Sequence, residues 1–313
     1  MFATKKCLVT GGAGFIGSNI VDALIESGHV VTVVDNLSTG NRVQVNPMAK
    51  WVQADLLEER LEAVFAQESF EVVYHLAAQT DVMTSINDPI VDAQVNVIGG
   101  LRLLELCRKY GVRKVIYSSS SAVFGEPDYL PMDEEHPIRP LCPYAASKHA
   151  FEHYLHLYHE IHDLDYTVLR YANAYGPRQD PHHEGGVVAI FAYKVLTSTR
   201  PIINGDGGQT RDFVHVDDLV RANLSCLEHG DNAYYNLGTG IETTINELFA
   251  LLCELSNIAL DVEYAAERRG EMRRLSLASA RAAADLEWSP TVDLRAGVRS
   301  VLDFFKENEN GIV

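Results

Sequence analysis

Tyr144 and Lys148 stand four residues apart in the run Tyr144-Ala-Ala-Ser-Lys148. On a helix, positions i and i+4 lie one above the other on one face. An ammonium beside a phenol favours the phenolate and lowers the phenol pKa toward neutrality. That would make a base of a residue normally inert there. Ser120, in Ser118-Ser-Ser-Ser-Ala-Val-Phe-Gly125, follows an apolar run and can bond the same substrate oxygen, sharing the proton. A YxxxK pair alone arises often by chance, so its meaning depends on what surrounds it.

What surrounds it begins with a glycine-rich loop, Thr10-Gly-Gly-Ala-Gly-Phe-Ile-Gly17. Gly11, Gly14 and Gly17 are spaced three apart, one residue off the usual dinucleotide fingerprint. Such glycines permit a tight turn, let N–H groups approach a pyrophosphate and let helix and strand pack closely. An ordinary strand-to-helix turn would also explain the loop taken alone. Asp35 ends the second apolar run, 18 residues after Gly17. An acid there bonds adenosine ribose hydroxyls and repels a 2′-phosphate, which favours NAD over NADP. Asp55 and Leu56 follow the third run, where adenine would lie.

These residues need a scaffold, and the apolar pattern supplies one. Cys7–Thr10, Val30–Val34, Trp51–Val52, Val72–Leu76, Val115–Tyr117 and Tyr166–Leu169 are short continuous apolar runs. Amphipathic stretches separate them: Ile16, Ile20, Leu24; then Leu57, Leu61, Val64, Phe65; then a long helix through Val91, Val95, Leu101 and Leu104. Continuous runs alternating with helices predict an α/β fold, a doubly wound parallel sheet covered on both faces. A helix over 144–163 carries the Tyr–Lys pair. Asp217 or Asp218 can cap a helix over Leu219–Leu227. Tyr234–Leu237 reads as a further strand, and helical patterns follow at 244–256, 279–287 and 294–306. A smaller α/β lobe built from late segments is expected. The boundaries are 1–173 plus about 212–240 for the large domain, and about 174–211 plus 241–313 for the lobe.

Composition removes other classes. The 313 residues carry 26 Lys plus Arg against 43 Asp plus Glu, a net charge of −17. Nucleic-acid binding and a polybasic membrane anchor both need the opposite balance. No apolar run reaches membrane-spanning length, and a strand-like run at Lys5–Thr10 leaves no room for a signal peptide. Five cysteines without CxxC spacing suit reduced thiols in a cytoplasmic protein rather than zinc or disulfides. His149, His153, His156, His159 and His162 line the Tyr–Lys helix, but the nearest three fall on the side opposite its apolar face. They read as a solvated face. His182-His183-Glu184 reads as a surface loop, and no metal site is expected.

Taken together, the sequence resembles the extended short-chain dehydrogenase/reductases, and within them the NAD-dependent nucleotide-sugar epimerases, UDP-glucose 4-epimerases most of all. The likeness spans about residues 5–305 and includes His75-Leu-Ala-Ala78, Asn96, Arg170-Tyr-Ala-Asn173, Gly176-Pro-Arg-Gln-Asp-Pro181, Arg211-Asp-Phe-Val-His-Val-Asp-Asp218 and Arg268-Arg-Gly-Glu271. The resemblance implies a Rossmann domain with Gly11, Gly14, Phe15, Ile16 and Gly17 on the pyrophosphate of NAD. It implies Asp35 and Asn36 on the adenosine ribose and Asp55 and Leu56 beside adenine. Leu76, Ala77, Ala78 and Asn96 would line the dinucleotide groove, and Ser118, Tyr144 and Lys148 would touch the nicotinamide riboside. Asn173, Arg211 and Arg268 would hold a UDP-sugar, with Glu271 on its ribose and Arg178 nearby. Ser120, Tyr144 and Lys148 would be catalytic. Leu275 would stand at the gatekeeper position beside the sugar C2 group, where a Tyr excludes N-acetyl sugars and a Ser or Cys admits them. A homodimer through a four-helix bundle is implied as well.

The implied activity is reversible C4 inversion of a UDP-hexose, glucose to galactose, through a 4-keto intermediate. UDP-N-acetylhexosamine and UDP-glucuronate epimerases remain alternatives. Relatives that dehydrate the sugar carry an Asp-Glu pair just after the catalytic Ser or Thr. Here Ser121 and Ala122 stand there. A glucuronate enzyme would want a cation near C6, whereas the segment reads Arg178-Gln-Asp180. A non-catalytic NAD-binding sensor would usually lack the Tyr or Lys, and both are present.

Overall fold

Mostly apolar along their length, the short runs are best satisfied in the middle layer of a sandwich, and all but the half-exposed edge strand at Trp51–Val52 are largely buried there. The computed structural model describes residues 3–182, 186–267, 270 and 272–308. Six runs form β1 (Lys6–Thr10), β2 (Val30–Asp35), β3 (Lys50–Gln53), β4 (Val72–His75), β5 (Lys114–Ser120) and β6 (Asp165–Tyr171), joined by β7 (Ala233–Leu237). They make one parallel seven-stranded sheet in the order β7-β6-β5-β4-β1-β2-β3. The order reverses between β1 and β4, with Thr10 paired to Val34 on one side and His75 on the other. In open α/β sheets a ligand crevice opens at that switch, outside the carboxyl ends of the strands.

Two layers of helix cover the sheet. The helices are α1 (Phe15–Glu26), α2 (Arg60–Gln67), α3 (Val82–Asn87), α4 (Pro89–Ala93), α5 (Gly100–Lys109), α6 (Pro143–His162), α7 (Val187–Leu196), α8 (Val216–Ser225), α9 (Ile245–Ser256), α10 (Ala280–Asp285) and α11 (Leu294–Glu307). Ile20, Val21 and Leu24 of α1 and Leu219 and Ala222 of α8 share a core on one face. Leu61 and Phe65 of α2, Leu103 and Leu104 of α5, and Phe151 and Leu155 of α6 cover the other. The long helix expected through Val91–Leu104 forms as α4 and α5 joined by a π-helical turn, Gln94–Gly99. That wider turn includes Asn96, which is buried. Single π turns inside helices are frequent at functional sites.

The start of α8 differs from expectation. The helix begins at Val216, and its cap is His215, whose Nδ1 accepts from the Asp217 N–H. Asp218 lies fully buried in the first turn and accepts from the N–H groups of Thr291 and Val292 instead. A carboxylate needed to anchor a distant loop is unavailable as a cap.

A third core unites Tyr175, Phe191 of α7, Leu248 and Leu252 of α9, and Val298 and Leu302 of α11. Short strand pairs stitch this region: Phe213–His215 with Asn173–Tyr175, Thr210–Arg211 with Thr243–Thr244, and Ile202–Asn204 with Glu263–Ala265. The chain then returns to the first core, which takes in Leu275, Leu277, Ala282, Leu286 and Trp288. Backbone bonds Met132 N to Ser276 O (2.8 Å) and Ala278 N to Met132 O (2.7 Å) hold the return. Large apolar side chains at these positions, rather than their lateness in the chain, decide which core they join.

Candidate active site

Ser120 ends β5, and Pro143 opens α6 at its first position, where a missing N–H costs no helix bond. This brings Ser120, Tyr144 and Lys148 together. The Ser120 hydroxyl lies beside the Tyr144 phenol and favours its ionised form. Lys148 Nζ donates to Ser118 O at 2.8 Å and lies 4.9 Å from the Tyr117 ring centroid and 6.0 Å from that of Tyr144. The expected depression of the Tyr144 phenol is not what this arrangement gives. Burial pushes it up to about 12, against a smaller lowering by the Ser120 hydroxyl. Burial also lowers the Lys148 ammonium to about 8, with Asp92 and Glu152 pulling the other way. The i,i+4 spacing is right, but the ammonium is turned to a carbonyl rather than to the phenol oxygen.

His75 lies behind the pair. It is buried, 2.9 Å from Thr10 Oγ1 through Nδ1, and stacked on Tyr117 at 5.5 Å. Burial, then the nearby Lys148 charge, lowers it to about 3, so it is neutral near pH 7.

The crevice at the switch point fits a dinucleotide. Gly11 has φ +70°, and a Cβ there would sit 2.6 Å from Ala77 N. A Cβ on Gly17 would sit 2.1 Å from Gly11 O. Helix α1 starts at Phe15 with Gly14 as its cap; no side chain covers the first N–H groups, and no acid lies in the first turn. Phe15, Ile16 and Gly17 therefore present the positive end of a twelve-residue helix to an anion. Asp35 is buried, with Oδ2 accepting from Ala13 N (3.0 Å) and Oδ1 from Leu37 N (2.8 Å), which ties the acid to the loop. Asn36 Nδ2 donates to Asp55 Oδ2 at 2.7 Å, and Leu56 is buried beside them. Leu76, Ala77 and Ala78 leave β4 half-buried along the groove. Asn96 Oδ1 accepts from Gln79 N (2.8 Å) and its Nδ2 donates to Ser147 Oγ (3.0 Å), joining groove to α6.

The sugar-nucleotide candidates are only partly gathered. Asn173 N donates to Asp212 O at 2.8 Å, beside Arg211, whose Nη1 donates to Met272 O at 2.9 Å. Leu275 is 2% exposed nearby in sequence. Arg178 has an ion-pair partner in the large domain. It pairs with Asp22 of α1 at 2.6 Å through Nη2, and its backbone takes a positive φ of 73° at the loop. Arg268 and Glu271 lie outside the described residues.

Residues 7–238 match the model of the NAD dependent epimerase/dehydratase family. The chain belongs to that family. It is 42% identical to a UDP-glucose 4-epimerase of Mycolicibacterium smegmatis, over 96% of this chain and 98% of that one. A solved UDP-glucose 4-epimerase from Thermotoga maritima, with UDP-glucose, superposes with a TM-score of 0.96 at 45% identity, covering 97% and 99% of the two chains. One from Thermus thermophilus, with NAD, gives 0.93 at 42% identity, covering 98% and 100%.

This NAD-dependent epimerase/dehydratase family member also holds polar groups that sequence reasoning missed. Asp212 is fully buried and accepts from the N–H groups of Thr239, Gly240 and Leu277, tying two separate segments to the chain beside Arg211. Its signal was faint: an acid directly after a candidate phosphate arginine. The histidine face of α6 is not wholly solvated. His149 Nδ1 is 3.0 Å from the buried Glu152 carboxylate, and His153 Nε2 is 3.1 Å from His149 Nε2. Among the described residues no three His, Cys, Asp or Glu are placed to hold a metal ion, and no helix is long and apolar enough to cross a membrane. His183 and Glu184 lie outside the described residues.

Proposed function

We propose that this protein interconverts UDP-glucose and UDP-galactose by inverting C4, as a cytoplasmic enzyme of galactose metabolism. The observation that carries the reading is the Ser120–Tyr144–Lys148 group at the mouth of a crevice shaped for NAD, followed by Ser121 and Ala122. Neither of those two can serve as the acid that expels water from a sugar, so the 4-keto sugar is not dehydrated and can only be reduced again. Bound NAD supplies a hydride acceptor that returns the hydride, and a positively charged ring in its oxidised form. Tyr144 takes the C4 hydroxyl proton and later gives it back to O4 once the 4-keto sugar has turned to present its other face to the returning hydride. Ser120 orients that oxygen, and Lys148 keeps positive charge beside the phenol. Gly11, Gly14 and Gly17 hold the pyrophosphate, Asp35 the ribose, and Arg211 with Arg268 the UDP diphosphate. The two-lobe division frames this cleft, with residues 275–288 assigned to the large domain's core.

The test is to incubate the purified protein with a panel of UDP-sugars, without added cofactor, and to read the products by NMR. A UDP-glucose and UDP-galactose mixture reached from either side is expected. A 4-keto-6-deoxy product, or turnover of UDP-glucuronate alone, would sink the reading. Leu275→Ser should raise the kcat/KM ratio for UDP-N-acetylglucosamine over UDP-glucose by about 10-fold, the usual worth of one apolar contact. Because Leu275 is packed in a core, the substitution should also cost about 2–4 kcal/mol of stability by denaturant unfolding. An unchanged ratio would remove Leu275 from the sugar pocket.

A homodimer is part of the proposal. Leu157 and Ile161 of α6 are 46% and 66% exposed, and Ile90 of α4 and Ile98 after it are 69% and 48% exposed. Apolar side chains exposed on adjoining helices suit an isologous helical interface. Light scattering should give twice the chain mass at every concentration down to the micromolar range; a concentration-independent monomer would refute it.

A further inference from the structure

Three consecutive residues of β5 each grip a successive turn of α6. Ser120 lies beside Tyr144, the Ser118 carbonyl takes Lys148, and Ser119 Oγ donates to Glu152 Oε1 at 2.5 Å. Tyr144, Lys148 and Glu152 stand at i, i+4 and i+8, one face of the helix. The third contact is the most heavily built. Glu152 is 1% exposed and receives Arg170 Nε at 3.0 Å and Nη2 at 2.8 Å, a two-pronged ion pair. Arg170 belongs to β6 and is itself buried, stacked 5.0 Å from the Phe124 ring and 5.1 Å from the Tyr234 ring. His149 adds a contact from the preceding turn at 3.0 Å. A buried ion pair is weak evidence for stability, since hydrophobic residues of similar volume often do as well. Geometric registration is its better-attested use.

We infer that Ser119, Glu152 and Arg170 are positioning residues for the reaction, locking the rotation and height of α6 so that Tyr144 meets Ser120. A helix held only by apolar packing can slide or roll by fractions of an ångström at small cost. A two-pronged guanidinium–carboxylate pair with a serine hydroxyl on the same oxygen cannot, because each bond fixes a different direction. Misplacement by about 1 Å can cost 100-fold in rate.

The inference rests on the epimerase reading, so its test has one arm that needs no turnover. Ser119→Ala removes one hydroxyl and leaves the ion pair, so the fold survives; Glu152→Gln keeps the shape and removes the charge. Hydrogen exchange at residues 144–149 should quicken in both, more in Glu152→Gln, while β1 and β2 exchange as before. With UDP-glucose, kcat should fall about 3- to 10-fold in Ser119→Ala and about 10- to 100-fold in Glu152→Gln, with KM and bound NAD unchanged. Two outcomes overturn the inference. One is wild-type exchange and kcat in both variants. The other is exchange quickened evenly along the chain with NAD lost, which would make the cluster a matter of stability alone. A parent protein inactive on UDP-glucose would count against the functional reading, and the exchange arm would still decide the positioning role.

Discussion

Tyr144→Phe should lower kcat for UDP-glucose by about 10²–10⁴-fold, the range of a lost general base, while UDP-glucose still binds and NAD stays in place. The substitution is close to isosteric and removes only the hydroxyl. Ser120 keeps a partner, because its Oγ accepts from Ala122 N at 3.2 Å. Lys148 keeps its bond to Ser118 O, so the neighbouring charge is not set adrift. Steady-state kinetics with calorimetric binding of UDP-glucose checks both halves. Near-normal turnover would remove Tyr144 from the chemistry.

The magnitude depends on a point of electrostatics. In the pocket as folded, the phenol stands at about 12 and the ammonium at about 8, so on raising the pH Lys148 loses its proton first. The pair is therefore not a ready phenolate waiting for substrate. The sign of the correction follows from charge: a positive group added to this buried site lowers the phenol and opposes the burial that raised it. Oxidised NAD brings such a charge. Base strength is thus expected to belong to the loaded enzyme, and tyrosine titration of the NAD-free protein should show no phenol ionising near neutrality that Tyr144→Phe removes.

Some of this was legible in the chain and some was not, for physical reasons. Every sheet strand announced itself, since a short, mostly apolar run bounded by turn residues has few other places to go. The glycine loop and Asp35 were legible because their backbone demands are local. The YxxxK spacing placed Tyr144 and Lys148 on one face, but spacing cannot say that Lys148 Nζ would choose the Ser118 carbonyl. Arg178 carried no sign of the ion pair it makes. Its partner Asp22 is 156 residues away, and nothing local marks that pairing. The same holds for Asp218, drawn from helix capping by Thr291 and Val292, and for Leu275–Trp288, drawn back into the first core. The Glu152–Arg170 pair was missed because single charges within apolar segments look like solvent-facing residues until the fold buries both. The net charge of −17 gains a narrower meaning as well. With Arg178 committed to α1, the proposed anion clamp rests on Arg211 and Arg268, against a chain whose overall field repels a UDP-sugar.

Gly17→Ala should empty the enzyme of NAD. The added methyl would stand 2.1 Å from Gly11 O and 2.9 Å from both the Gly11 carbonyl carbon and Gly12 Cα. All three are backbone atoms, so no flexible side chain can swing aside. Relief requires the loop to move away from α1. That would break the Gly14 N to Gly11 O bond at 3.1 Å and push Gly11 toward Ala77, where little room remains. Overpacking of this kind costs about 1–3 kcal/mol, which a chain of this size can survive folded. The pyrophosphate site cannot survive it, since its donors are the N–H groups being displaced. Gly28→Ala is the control. Gly28 has φ +85° with nothing within 4 Å of the added methyl, so it bears backbone strain without touching the loop. Absorbance and mass of released nucleotide after denaturation should show NAD near stoichiometric in Gly28→Ala and nearly absent in Gly17→Ala. Stoichiometric NAD in Gly17→Ala would mean that the cofactor's phosphates lie elsewhere. The contrast separates the two costs of a glycine replacement: strain, which lowers stability wherever it occurs, and occupied space, which matters here because a ligand needs the same space.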